Sequence, residues 1–539
     1  MKKASFLLLY CLILNTLTAQ KPKLVVGIVI DQMRYDYLEK FKSGFGKGGF
    51  NRLLSQGRNY SQCHINYFPT YTAPGHASIY TGTTPAVHGI VANEWFERKT
   101  NDTMYCVSDN SVQTIGSTTS AGMMSPKNLY STTMTDQLKL STNFKGKVVS
   151  ICIKDRGSIL PGGHHPDECY WFDNKVGKWI TSTYYAQELP SWVQNFNNKN
   201  LPEVLINQTW NTFFPISKYT QSTADDVPYE SPLTKKELKP VFPHRLSEIR
   251  ENNEYGLLLK TPFGNTLTRL MVQDALKNID LGKDTITDFL AVSFSSTDYV
   301  GHHFGINAIE LEDTYYRLDR ELDSLFQSLD KSVGKDNYIV FLTADHGCAH
   351  NPQYLIDNHM NAGFFKEHQM LDSLNQVLDK TYKQEKLIKY VENQQIYLDD
   401  ALIASANLNK ESIIQTISEA IKYFEGIEGI VTANQIINNQ ILGALFDTHY
   451  QKGFRKERCG DIYYKLLPGW MIMPRPTGTT HGSPYDYDTH IPFLLMGPQV
   501  KAGVDGQSVN ITDIAPTICN LLGIQLPDGC TGKNVYDKK

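Results

Sequence analysis

Five stretches of this chain are apolar runs, and each lies beside a residue able to do chemistry. Residues 24–30 end at Asp31 and residues 148–153 end at Lys154. Residues 289–294 lead to Asp298, residues 338–342 lead to Asp345, and residues 491–496 follow His481 and His490. Their β-branched content, with no polar alternation, predicts strands buried on both faces, the kind found in parallel sheets. Helical patterns over 266–279, 308–329 and 511–522 alternate with these runs. Strand and helix in alternation predict an α/β fold with a mostly parallel central sheet flanked by helices. Ligands of such sheets bind beyond the carboxyl ends of the strands, which is where most of the polar residues just named fall.

Long polar stretches separate the core pieces. Residues 96–146 are rich in Ser, Thr and Asn; residues 157–265 are rich in aromatics, Pro and Asn. Residues 349–476 mix Gln- and Asn-rich segments with helical patterns such as 411–423. These are read as insertions that cap the catalytic edge of a single large domain, 21–539. No solenoid-type repeat is present. The start differs: Met1-Lys2-Lys3 is basic, residues 6–14 are apolar, and Thr18-Ala19-Gln20 supplies small residues. This predicts a signal peptide over 1–20, too short for a transmembrane span, and hence a periplasmic or secreted protein without a membrane anchor after cleavage.

A formal net charge of −4 carries no basic signature for nucleic acid, so an anionic ligand must find local positive charge. Beyond residue 20 there are eight cysteines and no CxxC pair, which leaves no thiolate zinc motif. Export permits disulfides, and Cys519 and Cys530 are close enough in sequence to bridge. Buried thiols are the plain alternative.

Thr72 stands in the turn Pro69-Thr70-Tyr71-Thr72-Ala73-Pro74-Gly75-His76, between an apolar run and a helix-like segment. Alone it reads as a helix cap. A threonine hydroxyl needs a base or a metal to become a nucleophile. Asp298 and His302 are four apart, which places both on one face of a helical turn, although His303 competes with His302. Asp345-His346 is a second pair. Asp31 and His481 taken singly read as a cap and a loop histidine. Together these carboxylates and imidazoles come from four separate segments, and such ligands suit Zn²⁺. Two metals about 3.5–4 Å apart clamp the attacking and leaving oxygens of phosphoryl displacement.

As a set, the motifs Val29-Ile30-Asp31-Gln32-Met33-Arg34, the Thr72 turn, Gly89-Ile90-Val91-Ala92-Asn93, Thr343-Ala344-Asp345-His346-Gly347, Thr480-His481-Gly482 and Asp513-Ile514-Ala515-Pro516-Thr517 resemble the alkaline phosphatase superfamily. The branch is that of the nucleotide pyrophosphatases/phosphodiesterases, and the resemblance spans nearly the whole chain after residue 20. It implies an alkaline-phosphatase-like core with two Zn²⁺. One would be held by Asp298, His302 and His481; the other by Asp31, Asp345 and His346, with Thr72 bound to it as nucleophile. Asn93 would donate its amide to a phosphoryl oxygen. His490, in Asp488-Thr489-His490-Ile491-Pro492, rivals His481. Lys154-Asp155-Arg156 reads alone as a charged turn, but two cations near a phosphoryl group favour a dianionic monoester. The pair resembles that of the phosphate-irrepressible alkaline phosphatases. The expectation is an exported phosphatase of small phosphate monoesters, working through a phosphothreonine. The alternative is a phosphodiesterase or nucleotide pyrophosphatase with the same metals. The sequence leaves the natural substrate and the oligomeric state open.

Overall fold

The computed structural model describes residues 21–252, 254–440 and 447–536, so the signal peptide expected at 1–20 lies outside the described residues. The strands that matter here are Leu24–Ile30 (β1), Arg58–His64 (β2), Val148–Cys152 (β3), Glu168–Asp173 (β4), Lys178–Ser182 (β5), Asp288–Phe294 (β6), Tyr338–Thr343 (β7), Phe493–Met496 (β8) and Gly503–Asn510 (β9). They form an 11-stranded sheet in the order β2-β8-β7-β1-β6-β3-β4-β5, with His490–Ile491 beyond β2, Thr114–Ile115 beyond β5, and β9 also pairing β2. The middle is parallel: β1 pairs with β6 and β7, β6 with β3, and β3 with β4. Every residue of β1, β3, β6 and β7 is buried, as unbroken apolar runs require.

Helices Thr72–Thr81 (α1), Asp155–Gly162 (α2), Phe263–Asn278 (α3), Ser296–Phe304 (α4), Ile309–Ser332 (α5) and Ile514–Leu522 (α6) complete the core. α1 packs against α2, and α3 against α5. α5 buries Leu311, Leu318, Leu322, Leu325, Phe326 and Leu329, spaced by three, four or seven along one stripe. Each such side chain contributes about 1.5–3 kcal/mol on burial.

Strand register aligns the chemistry. Ile30 lies opposite Phe294, Val29 opposite Thr343, and Ser293 opposite Cys152. Asp31, Lys154, Asp298 and Asp345 therefore leave the sheet at one edge. The last predicted strand differs from expectation: its run breaks at Pro492, and β8 runs antiparallel to β7. Its amino end thus lies at the edge where the parallel strands end, which delivers His481 there. β2, antiparallel to β8, runs the same way as β7 and delivers the Thr72 turn.

Not all of the polar stretches cap the sheet. Within 157–265, β4 and β5 extend the sheet itself, and in 96–146 Met134 and Leu138 join the main core. Residues 349–476 add a second, smaller sheet, and part of this stretch packs into the core around Phe68, Ala73 and Ile90. Ile388–Glu392, Gln395–Leu398, Ile427–Thr432 and Ile462–Leu466 form a four-stranded antiparallel sheet, which shares a core with helices Glu367–Tyr382 and Lys410–Ile421. All eight described cysteines are free thiols, so Cys519 and Cys530 are not bridged. No helix among the described residues is long and apolar enough to cross a membrane.

Candidate active site

The four-residue spacing of Asp298 and His302 is realised as one turn of α4. His302 Nε2 lies 3.1 Å from Asp298 Oδ1, and His481 Nε2 lies 3.7 Å from the same oxygen. His302 Nδ1 donates to the Thr479 carbonyl at 2.8 Å and His481 Nδ1 to that of Thr70 at 2.7 Å. A carbonyl can only accept, so each neutral ring presents an Nε2 lone pair to the site. Burial pushes His481 well below the usual imidazole range, and His346 and His302 add to that. The rivals point elsewhere. His303 Nε2 faces the Pro232 carbonyl at 2.5 Å; His490 faces that of Ser61 at 2.9 Å, with its ring stacked on Tyr35 and His64.

The second group lies against the first, with the His346 and His481 rings stacked at 3.5 Å. His346 Nε2 is 3.6 Å from both Asp31 Oδ1 and Asp345 Oδ2. Ligand atoms of Asp298, His302 and His481 lie within 4.8 Å of one another, as do those of Asp31, Asp298 and His346. Asp298 is thus common to both groups, whereas the sequence placed Asp345 with Asp31 and His346. Asp345 Oδ1 accepts from the Gln32 and His346 amides at 3.1 and 3.0 Å, while Oδ2 accepts no well-directed hydrogen bond and lies 3.3 Å from His76 Nδ1.

The donor set fits divalent ions. Asp31, Asp298 and Asp345 are buried carboxylates with one buried ammonium among them: Lys154 Nζ is 2.6 Å from Asp298 Oδ2 and 2.7 Å from Asp31 Oδ2. Even so, neither Asp31 oxygen accepts a well-directed hydrogen bond. Burial, reinforced by Asp345, pushes Asp31 up to about 7. Burial would also raise Asp298, but His302 and Lys154 outweigh it and hold that group well below the usual carboxylate range. Buried carboxylate oxygens without hydrogen-bond partners, set beside imidazole Nε2 atoms, are what metal coordination satisfies.

Thr72 is the first residue of α1, is 1% exposed, and places Oγ 3.3 Å from His346 Nε2. The first amides of a helix lack intrahelical partners and favour an anion. Asn93 Oδ1 accepts from the Ala73 amide at 2.8 Å, which fixes its side chain beside the nucleophile. Arg156 Nη1 donates to the Tyr105 hydroxyl at 3.0 Å, and that hydroxyl donates to Asp155 at 2.6 Å.

Sequence reasoning passed over three supporting residues. Gln32 Nε2 donates to Asp298 Oδ1 at 2.8 Å from a left-handed backbone at φ 64°. For a non-glycine residue that conformation costs about 1–3 kcal/mol. His76 joins the Thr72 carbonyl (2.9 Å) to Ser293 Oγ (3.0 Å), tying α1 to β6. Tyr105 holds Arg156. Gln32 and His76 stand inside recognised motifs, but their partners are more than 200 residues away in sequence, beyond the reach of local spacing.

Residues 25–488 match the model of the type I phosphodiesterase/nucleotide pyrophosphatase family. The chain is 44% identical to alkaline phosphatase PafA of Elizabethkingia meningoseptica, over 97% of this chain and 95% of the relative. It is 45% identical to alkaline phosphatase PhoV of Synechococcus elongatus, over 96% and 93%. A crystal structure of wild-type PafA superposes with a TM-score of 0.92, covering 96% of this chain and 98% of that one. The chain belongs to the type I phosphodiesterase/nucleotide pyrophosphatase family, within the alkaline phosphatase superfamily. It is an enzyme of the alkaline phosphatase type, a phosphoric monoester hydrolase.

Proposed function

We propose that this enzyme is exported and hydrolyses small phosphate monoesters through a covalent phosphothreonine at Thr72. Asp298, His302 and His481 would hold one zinc ion, and Asp31, Asp345 and His346 the other. When bound, the ions supply Lewis acidity that eases hydroxyl deprotonation and neutralises charge on phosphoryl and leaving oxygens. Thr72 Oγ gives up its proton to solvent and attacks phosphorus in line, so the Oγ–P bond forms as the bond to the departing alkoxide breaks, and the alkoxide takes up a proton from solvent. Water then attacks the same phosphorus, the Oγ–P bond breaks, and inorganic phosphate leaves. Asn93, Lys154 and Arg156 stabilise the non-bridging oxygens, the electrostatic contribution expected to dominate phosphoryl transfer.

The observation that carries this reading is convergence. A buried threonine hydroxyl at a helix N-terminus, two carboxylate–imidazole groups and a Lys-Asp-Arg turn are delivered to one sheet edge from distant segments. The basic, apolar, small-residue start of the chain supports export.

The test compares kcat/KM on p-nitrophenyl phosphate and bis-p-nitrophenyl phosphate, with elemental analysis of the purified protein. Expected are preference for the monoester, two zinc ions per chain, and acid-trapped phosphate on Thr72 by mass spectrometry. Preference for the diester would instead support the phosphodiesterase alternative. A Thr72→Ala variant that turned over normally would remove the covalent mechanism.

A further inference from the structure

Beside His481 lies a cavity of about 170 Å³ whose other walls come from Tyr71, the neighbour of Thr72, from residues within 349–476, and from the segment 480–488. Three carboxylates line it, Glu367, Glu392 and Asp488, and among the described residues no lysine or arginine does. Asp488 is 1% exposed. Its Oδ2 accepts from the Gly482 amide (3.1 Å), the Ser483 amide (2.7 Å) and Ser483 Oγ (2.6 Å), while its Oδ1 is buried without a hydrogen-bond partner. Trp470 Nε1, also in the lining, is buried without one too.

A lining with three carboxylates and no lysine or arginine attracts a cation. The carboxylate pKa values agree in direction. Partial desolvation raises Glu367 and Glu392, with Glu367 adding to the shift on Glu392, and burial raises Asp488 to about 7. A compact metal ion fits less well, because these carboxylates form no group with ligand atoms within 4.8 Å among the described residues. Aromatic surface from Tyr71, Trp470 and Tyr487 suits an organic cation with dispersed charge. The size points the same way: it is below the roughly 300 Å³ of drug-sized sites and near the ~150 Å³ that holds benzene, so a small alkylammonium fits and a nucleoside does not.

Resting on the monoesterase reading above, we propose that this cavity is a leaving-group subsite for alcohols bearing an ammonium or quaternary ammonium group. With phosphorus at Thr72, the alcohol lies past His481 and its cation enters the acidic cavity. The ester P–O bond breaks as before and the carbon–nitrogen bonds are untouched.

The test pairs phosphocholine with its uncharged isostere 3,3-dimethylbutyl phosphate on the metal-loaded enzyme, with p-nitrophenyl phosphate as a third ester. The wild type is expected to favour the cationic ester in kcat/KM by about tenfold, the scale of a partly desolvated cation–aromatic interaction. The ratio should fall toward one in Glu392→Gln and in Glu367→Gln. Glu392 is on the exposed rim, and glutamine at 367 keeps an acceptor for the Tyr464 hydroxyl, so thermal melting should show both variants folded. Turnover of p-nitrophenyl phosphate with equal kcat/KM for the isosteric pair would overturn the subsite alone. So would a cation preference that survives both substitutions. Absence of turnover on all three esters would overturn the monoesterase reading, and the subsite with it.

Discussion

Arg156 is held in place by the Tyr105 hydroxyl rather than by the adjacent Asp155, whose nearest oxygen is 3.9 Å from Nη1. Its fork is therefore available to a dianionic phosphate. Arg156→Ala is expected to lower kcat/KM on p-nitrophenyl phosphate by about 10- to 100-fold, the scale of removing one charge-assisted hydrogen bond from the transition state. The loss on a monoanionic diester should be smaller, and steady-state kinetics on both esters checks this. Glu230 gives a second prediction at this scale. It is 6% exposed, and neither of its oxygens has a hydrogen-bond partner. Burial, then the nearby Glu310, raises it to about 10 from an ordinary 4.5. Between those values the unfolded chain ionises while the folded chain keeps its proton, so stability falls as pH rises through that window. Glu230→Gln is neutral throughout. Its melting-temperature advantage over wild type should be absent near pH 4.5 and grow toward pH 9; a constant offset would count against it.

Between elements, α1 approaches the segment after β7 closely at the site. A methyl added at Gly75 would lie 2.3 Å from the Asp345 carbonyl oxygen, a backbone atom with little freedom to move. Gly75→Ala should therefore displace the start of α1 relative to Asp345 and disturb the metal group that Asp345 would join. A misplacement of about 1 Å at a reacting group can cost roughly 100-fold, so kcat should fall by about that factor. Elemental analysis of the same variant should find less metal than in the wild type. The same elements explain what the sequence disclosed. Buried parallel strands announce themselves as apolar runs, which is why Asp31, Lys154, Asp298 and Asp345 could be placed at strand ends. Strand direction leaves no such mark, so the reversal of β8 was hidden. β4 and β5 were hidden because the short segments Glu168–Asp173 and Lys178–Ser182 lie within a polar stretch. The choices of His302 over His303 and of His481 over His490 depend on carbonyl partners at Thr479, Pro232, Thr70 and Ser61, which only the folded chain brings near.

Taken as a whole, the molecule gathers three buried carboxylates around one lysine at the carboxyl edge of the main sheet. Concentrated charge of one sign opposes folding unless cations bind it. Metal that binds only the folded state stabilises it by about 4 kcal/mol at 1,000 times Kd. Chelation should accordingly lower the melting temperature, and the size of the drop should depend on pH. Asp31 is raised to about 7 by burial and Asp345. Burial pulls His302 down, but Asp298 outweighs it and leaves that group above the usual imidazole range. Both must give up their protons to coordinate an ion, so metal binding strengthens as pH rises through that range. Buried titrating groups far from the site act on the loaded and stripped forms alike. The gap in melting temperature between zinc-loaded and chelated protein should thus be small at pH 5.5 and wide at pH 8.5. Calorimetry at the two pH values measures it, and a gap that stays constant would show that the ions are held by groups other than these.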